Sequence, residues 1–131
     1  MDNNKTAKYY VKKILDDIDF CIKHLNNIDL NSFAQNEVLS TSISFKFIQI
    51  SENAKKLPDI IYDLYTNVPW IKISGLRNKI VHDYGSIQLY IIYDTIKKDF
   101  PILKENMMSI LKDEPNTFWY VFLFFVFKRK I

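Results

Sequence analysis

Cysteine, glycine and proline are all scarce in this chain, and each scarcity excludes something. A single cysteine, Cys21, in 131 residues leaves no internal disulfide framework and no cysteine-based zinc site, so a reducing cytoplasm is the expected setting. Two glycines and four prolines are too few for the turns of a sandwich or barrel and favour long helices. The sequence holds no glycine-rich phosphate loop, no strand–helix alternation and no internal repeat. Charge of one sign is nearly lacking too: 18 Lys and Arg against 15 Asp and Glu give a formal net charge of +3. Such an excess permits a nucleic-acid partner without requiring one. No cluster of His, Cys and carboxylates has the spacing of metal ligands, so no metal or other cofactor is expected. The start, Met1-Asp2-Asn3-Asn4-Lys5, has no apolar core behind its charges and does not read as a secretory signal.

What is present is helical period. Apolar residues fall at Ala7, Tyr10, Val11, Ile14, Leu15, Ile18, Cys21, Ile22 and Leu25, steps of three and four that predict a helix ending at Asn26-Asn27 and Asp29. A second helix is carried by Leu39, Ile43, Phe47, Ile50, Ala54 and Leu57, despite a Ser-Thr-Ser-Ile-Ser stretch of poor helix propensity. Pro58 ends it and a short helix follows over Asp59 to Tyr65. Pro69 opens another through Ile73, Leu76 and Ile80 to about Tyr84, with Gly85 as its stop. Ser86 reads as the N-cap of the next, which Pro101 kinks or restarts before it ends near Asp113. The fold class is therefore all-α: a helical bundle of about four main helices plus short ones, spanning residues 1–113. Residues 114–131 differ. Phe118 to Phe127 is ten consecutive apolar or aromatic residues closed by Lys128-Arg129-Lys130. A membrane helix needs about 20, so no membrane partner is expected and the tail reads as extended chain buried on its own bundle or on a dimer partner.

Histidine is the side chain whose proton moves near neutral pH, and there are two. His24, among Lys23 and Asn26, reads as a surface residue. His82 lies in Gly75-Leu76-Arg77-Asn78-Lys79-Ile80-Val81-His82-Asp83-Tyr84-Gly85, which gathers a cation, an amide, an imidazole, a carboxylate and a phenol near one helix end. At about 100° per residue, Asn78 and His82 share a face, whereas Arg77 and His82 are offset by about 140°. Arg77 and His82 converge only if the last turn loosens or if they meet a ligand in a cleft between helices or subunits. By residue type alone, a polar last turn that satisfies carbonyls and the helix dipole explains the cluster equally well. Trp70 reads as a core anchor at the helix start, with a platform for base stacking as the alternative. Lys55-Lys56, Lys72, Lys79 and Lys97-Lys98 read most simply as solvated charge, with electrostatic steering of RNA as the alternative.

The stretch from Val68-Pro69-Trp70 through Gly75-Leu76-Arg77-Asn78 to Val81-His82-Asp83-Tyr84 closely resembles the HepT-like branch of the HEPN superfamily. The resemblance extends upstream to Ser51-Glu52-Asn53-Ala54, where that family usually has glycine in place of Ser51, and downstream to Asp99-Phe100-Pro101-Ile102-Leu103. It implies an all-α HEPN homodimer acting as a metal-independent endoribonuclease, commonly the toxin of a toxin–antitoxin pair. It also implies that Arg77 and His82 carry catalysis, and that Tyr84 is the residue to which a cognate MntA-type minimal nucleotidyltransferase antitoxin joins AMP. Glu52 becomes a candidate partner of Arg77 from a neighbouring helix, and Asn78 and Asp83 candidate supporting groups. The residue types suit the chemistry. Attack by the substrate's own 2′-OH needs proton transfers, which an imidazole supplies, and stabilised charge on phosphate, which a guanidinium fork supplies. The alternative is a non-catalytic HEPN module that binds RNA, nucleotide or a partner nucleotidyltransferase.

Overall fold

A computed structural model describes residues 6–113, and the aromatic tail lies outside them. Among the described residues there are six α-helices and no strand: α1 (Ala7–Leu25), α2 (Leu30–Gln35), α3 (Glu37–Ala54), α4 (Asp59–Leu64), α5 (Trp70–Asp83) and α6 (Leu89–Asp113), with a 3₁₀ turn at Tyr84–Ser86. The all-α bundle and its four long helices are as the periodicity predicts.

One core holds the bundle together. On α1 the three-and-four spacing puts Tyr10, Val11, Ile14, Ile18, Cys21 and Leu25 inside, against α3 and α6. Helix α3 contributes Ile43, Phe47 and Ile50, and α6 contributes Ile92, Ile96, Phe100, Leu103, Met107 and Ile110. The Phe47 and Phe100 rings meet at 5.6 Å, nearly parallel. The serines that weaken α3's propensity sit partly inside: Ser40, Ser44 and Ser51 are buried. Ser44 donates its hydroxyl to the Ser40 carbonyl at 2.7 Å, so its burial leaves no unpaired donor.

Four local expectations change. Asp29 does not only end a helix: its carboxylate accepts from the Ser32 amide at 2.7 Å and caps α2, an element the sequence reading lacks. Gly85 is not the stop of α5, which ends at Asp83, and no glycine has positive φ. Ser86 is not a helix N-cap; it closes the 3₁₀ turn, where its hydroxyl donates to the Asp83 carboxylate. Pro101 does not restart a helix: it sits within a single α6 of 25 residues. It is exposed, so water can reach the carbonyl that its missing N–H leaves without a partner.

Helix α5 is fixed at its start and along one side. Its indole residue Trp70 donates Nε1–H to the Tyr65 carbonyl at 2.9 Å. Ile73, Leu76 and Ile80 are its buried face, and Lys72 pairs with Asp99 of α6 at 2.7 Å. The opposite face carries exposed Ile71, Gly75, Asn78 and His82 at steps of three and four.

Candidate active site

The two ends of the motif on α5 have different surroundings. Arg77 is mostly buried, with 20% of its side chain exposed, and reaches across to α3, where its Nη2 donates to Oε1 of Glu52. Its Nη1 donates to Oδ1 of Asn78 at 2.8 Å. Its Nε is buried and has no partner among the described residues. Glu52 and Asn78 thus clamp the guanidinium on two nitrogens and set its plane, which a planar five-donor group can exploit for bidentate contact with an oxyanion.

His82 is exposed in the last turn of α5 and makes no side-chain hydrogen bond among the described residues. Asn78 shares its face, one turn away, yet is engaged by Arg77 rather than by the imidazole. Because α5 stays helical through Asp83, the last turn does not loosen, and the offset of about 140° between Arg77 and His82 persists within one chain. Asp83 turns to Ser86, not to His82. It fixes the 3₁₀ turn that starts at Tyr84, a residue 39% exposed. Tyr84 therefore sits just past the helix end, two residues from the imidazole, where another macromolecule can reach it.

Most of the flanking lysines serve the fold. Lys72 is paired to Asp99, and Lys98 to Asp94 at 3.1 Å. Lys97 donates to the Leu25 carbonyl at 2.8 Å, and Lys56 lies over the Tyr10 ring. Lys55 and Lys79 remain exposed near α5 and on it. His24 is a surface residue whose ring rests on Phe20, centroids 4.2 Å apart. Among the described residues no group of three or more His, Cys, Asp and Glu is placed to hold a metal ion, and no helix is long and apolar enough to cross a membrane.

Residues 14–110 match the family model described as "Ribonuclease HepT-like". The chain belongs to the HepT-like ribonuclease family. Its relatives include the "Putative RNase TTE0752" of Caldanaerobacter subterraneus subsp. tengcongensis, 32% identical over 110 residues that cover 84% of this chain and 98% of that protein. The "Putative RNase MJ1216" of Methanocaldococcus jannaschii is 26% identical over 109 residues, 83% of this chain and 90% of its own. The "Probable ribonuclease HepT" of Thermococcus cleftensis is 22% identical over 108 residues, 82% and 98% respectively. No solved structure matches the chain. The HepT-like region takes in α5, Glu52 and the 3₁₀ turn, so every candidate site residue falls inside it.

The sequence reading does not find the hollow beside this cluster. Tyr62, Lys55, Ser51 and Gly75 line it together with Trp70 and Asn78. Their spacing along the chain carries no signal, and they meet because Tyr62 of α4 reaches back to the Ala54 carbonyl at the end of α3 and sets its ring against Trp70 at the start of α5. Trp70, expected as a core anchor, is only half-buried: it packs against the core, ties its N–H to the Tyr65 carbonyl and also lines this hollow.

Proposed function

We propose that this chain is a metal-independent endoribonuclease, the toxin of a toxin–antitoxin pair. The observation that carries the reading is the clamped Arg77 guanidinium on the same helix as an exposed His82, in a chain of the HepT-like ribonuclease family. In the reaction the 2′-oxygen attacks phosphorus and its proton passes to a base. The bond to the 5′-oxygen breaks as that oxygen takes a proton from an acid, leaving a 2′,3′-cyclic phosphate. Arg77 stabilises the added negative charge on the non-bridging oxygens, and His82 moves protons. Because Arg77 and His82 diverge on α5, a homodimer that sets two copies of the helix across one groove supplies both groups to one phosphate, and two imidazoles for the two proton transfers.

Tyr84 is the off switch in this reading. An MntA-type nucleotidyltransferase transfers the adenylyl group of ATP to its hydroxyl, the phenol proton and pyrophosphate leaving, and the tethered nucleotide places an anionic phosphodiester beside Arg77 at high local concentration, where it excludes RNA. The deciding experiment compares wild type with Arg77→Ala and His82→Ala, each verified as folded. Wild type cleaves RNA in excess EDTA and leaves cyclic phosphate ends, and both variants lose cleavage and growth inhibition. Cleavage by folded His82→Ala refutes the mechanism, and RNA binding without cleavage by wild type would favour a non-catalytic binding module. Co-expression with the nucleotidyltransferase adds the mass of one adenylyl group at Tyr84; neutralisation of Tyr84→Phe as effective as that of wild type refutes the switch.

A further inference from the structure

Beside Arg77 lies a cavity that the reaction just described does not use. Its volume is about 470 Å³, walled by the end of α3 (Ser51 and Lys55 among others), by Tyr62 of α4, and by α5 from Trp70 to Asn78. Small-molecule sites span roughly 300–1,000 Å³. The Tyr62 and Trp70 rings stand edge to face with centroids 4.9 Å apart. Both have committed their polar ends to backbone: Tyr62 donates to the Ala54 carbonyl and Trp70 to that of Tyr65. They offer the cavity ring surface and no hydrogen bonds. Hydrogen-bonding groups come instead from Ser51, Ser74 and Asn78, aliphatic surface from Ala54, Ile71 and Ile73, and Lys55 is the one charged residue in the wall, with no carboxylate among the described lining residues.

This wall suits a flat, uncharged heteroaromatic ring with polar edges, attached to an anion. An aliphatic ligand would leave the amide and hydroxyl unsatisfied, and an anion alone would use only Lys55. The cavity also adjoins the proposed chemistry directly. Asn78 lines it while accepting from Arg77 at 2.8 Å, and His82 follows on the same face of α5, about 6 Å along the axis.

The geometry points to a nucleobase subsite: the cavity seats the base of the nucleotide whose phosphate Arg77 holds, flat on one of the Tyr62 and Trp70 rings and edge-on to the other, with its own polar edge facing Ser51 and Asn78. This rests on the ribonuclease reading and adds that cleavage is base-selective. Gly75 keeps the site open. It lines the cavity, its φ is not positive, and a Cβ there would meet nothing within 4 Å. Neither backbone conformation nor crowding demands glycine at this helical position, and the absent side chain leaves room for a ligand.

The test titrates the full-length protein with the four nucleoside 5′-monophosphates and with ribose 5-phosphate as a base-free control, by calorimetry. At least one nucleotide is expected to bind roughly 5- to 150-fold more tightly than ribose 5-phosphate, the range of base–aromatic stacking. Gly75→Leu fills the cavity and brings the nucleotides down to the ribose 5-phosphate level. It also lowers kcat/KM for RNA by a similar factor, mainly through KM. Four nucleotides that bind no tighter than ribose 5-phosphate overturn the subsite without reference to any variant. So does a folded Gly75→Leu protein that binds and cleaves like wild type, or one whose oligomeric state changes while nucleotide affinity does not, which would make the hollow a protein interface. Failure of the ribonuclease reading looks different: RNA is not cleaved, yet a nucleotide still binds and Gly75→Leu still abolishes that binding.

Discussion

If Glu52 sets the plane of Arg77, removing it should cost stability and chemistry together, and the two residues should not act independently. A shielded charge-assisted hydrogen bond nets about 1.5–3 kcal/mol. Here 40% of the Glu52 side chain and 20% of Arg77 are exposed, so solvent screens the pair and reduces the coupling to about 1 kcal/mol. Glu52→Ala should cost more than the coupling, about 1–2 kcal/mol. It leaves a mostly buried guanidinium, whose Nε already lacks a partner, with Asn78 alone. For a chain of this size that lowers Tm by about 3–5 °C per kcal/mol. The assay is a double-mutant cycle in urea: wild type, Glu52→Ala, Arg77→Ala and the double variant, compared at unchanged m-value. Catalysis supplies a second readout. Glu52→Ala should lower kcat for RNA about 10-fold, equivalent to about 1.4 kcal/mol of lost orientation, whereas Glu52→Gln, which keeps an acceptor oxygen facing Nη2, should recover most of it. A coupling energy within about 0.3 kcal/mol of zero would refute the clamp. Equal kcat for the alanine and glutamine variants would show that Glu52 does not position Arg77.

Other expectations follow from the same structure. Phe47→Ala removes a fully buried ring that stacks on Phe100 and should cost about 3–5 kcal/mol in urea unfolding; a loss under about 1 kcal/mol would contradict a core shared by α3 and α6. Cys21 is buried and its thiol is pushed up to about 12, chiefly by desolvation and secondarily by Asp17. At pH 8 it should therefore be alkylated roughly 1,000-fold more slowly than an ordinary thiol, and brisk labelling of the folded protein would refute its burial. Capping of Ser32 holds the Asp29 carboxyl below the usual carboxylate range. A depressed folded-state value means the cap's contribution is present above the unfolded value and is lost as pH falls through the folded one. Amide exchange at Ser32, corrected for intrinsic rates, should then accelerate on acidification, and in Asp29→Asn that acid-dependent component should disappear.

Sequence by itself determined the helices whose burial is continuous. The spacing of Tyr10, Val11, Ile14, Ile18, Cys21 and Leu25 leaves one face for α1 to bury, and no tertiary partner alters that period. The motif from Gly75 to Tyr84 was equally legible, because its residue types and spacing are unusual together, and the resemblance they carry supplied Glu52 as a partner for Arg77. Helix ends were less so. Asp29, Gly85, Ser86 and Pro101 are residues that can either terminate a helix or be absorbed by one. The hydrogen bonds between Asp29 and the Ser32 amide and between Ser86 and Asp83 decided two of these cases, while α5 ended before Gly85 and α6 absorbed Pro101. The tertiary structure decided that the Arg77 guanidinium does reach Glu52 on α3 while His82 faces solvent, since a guanidinium's direction depends on which carboxylate lies within reach. The cavity belongs to the same class. Ser51, Tyr62, Trp70 and Gly75 are ordinary residues spread over 25 positions of chain, and they line one space because Tyr62 bridges the end of α3 and the start of α5 through the Ala54 carbonyl and the Trp70 ring.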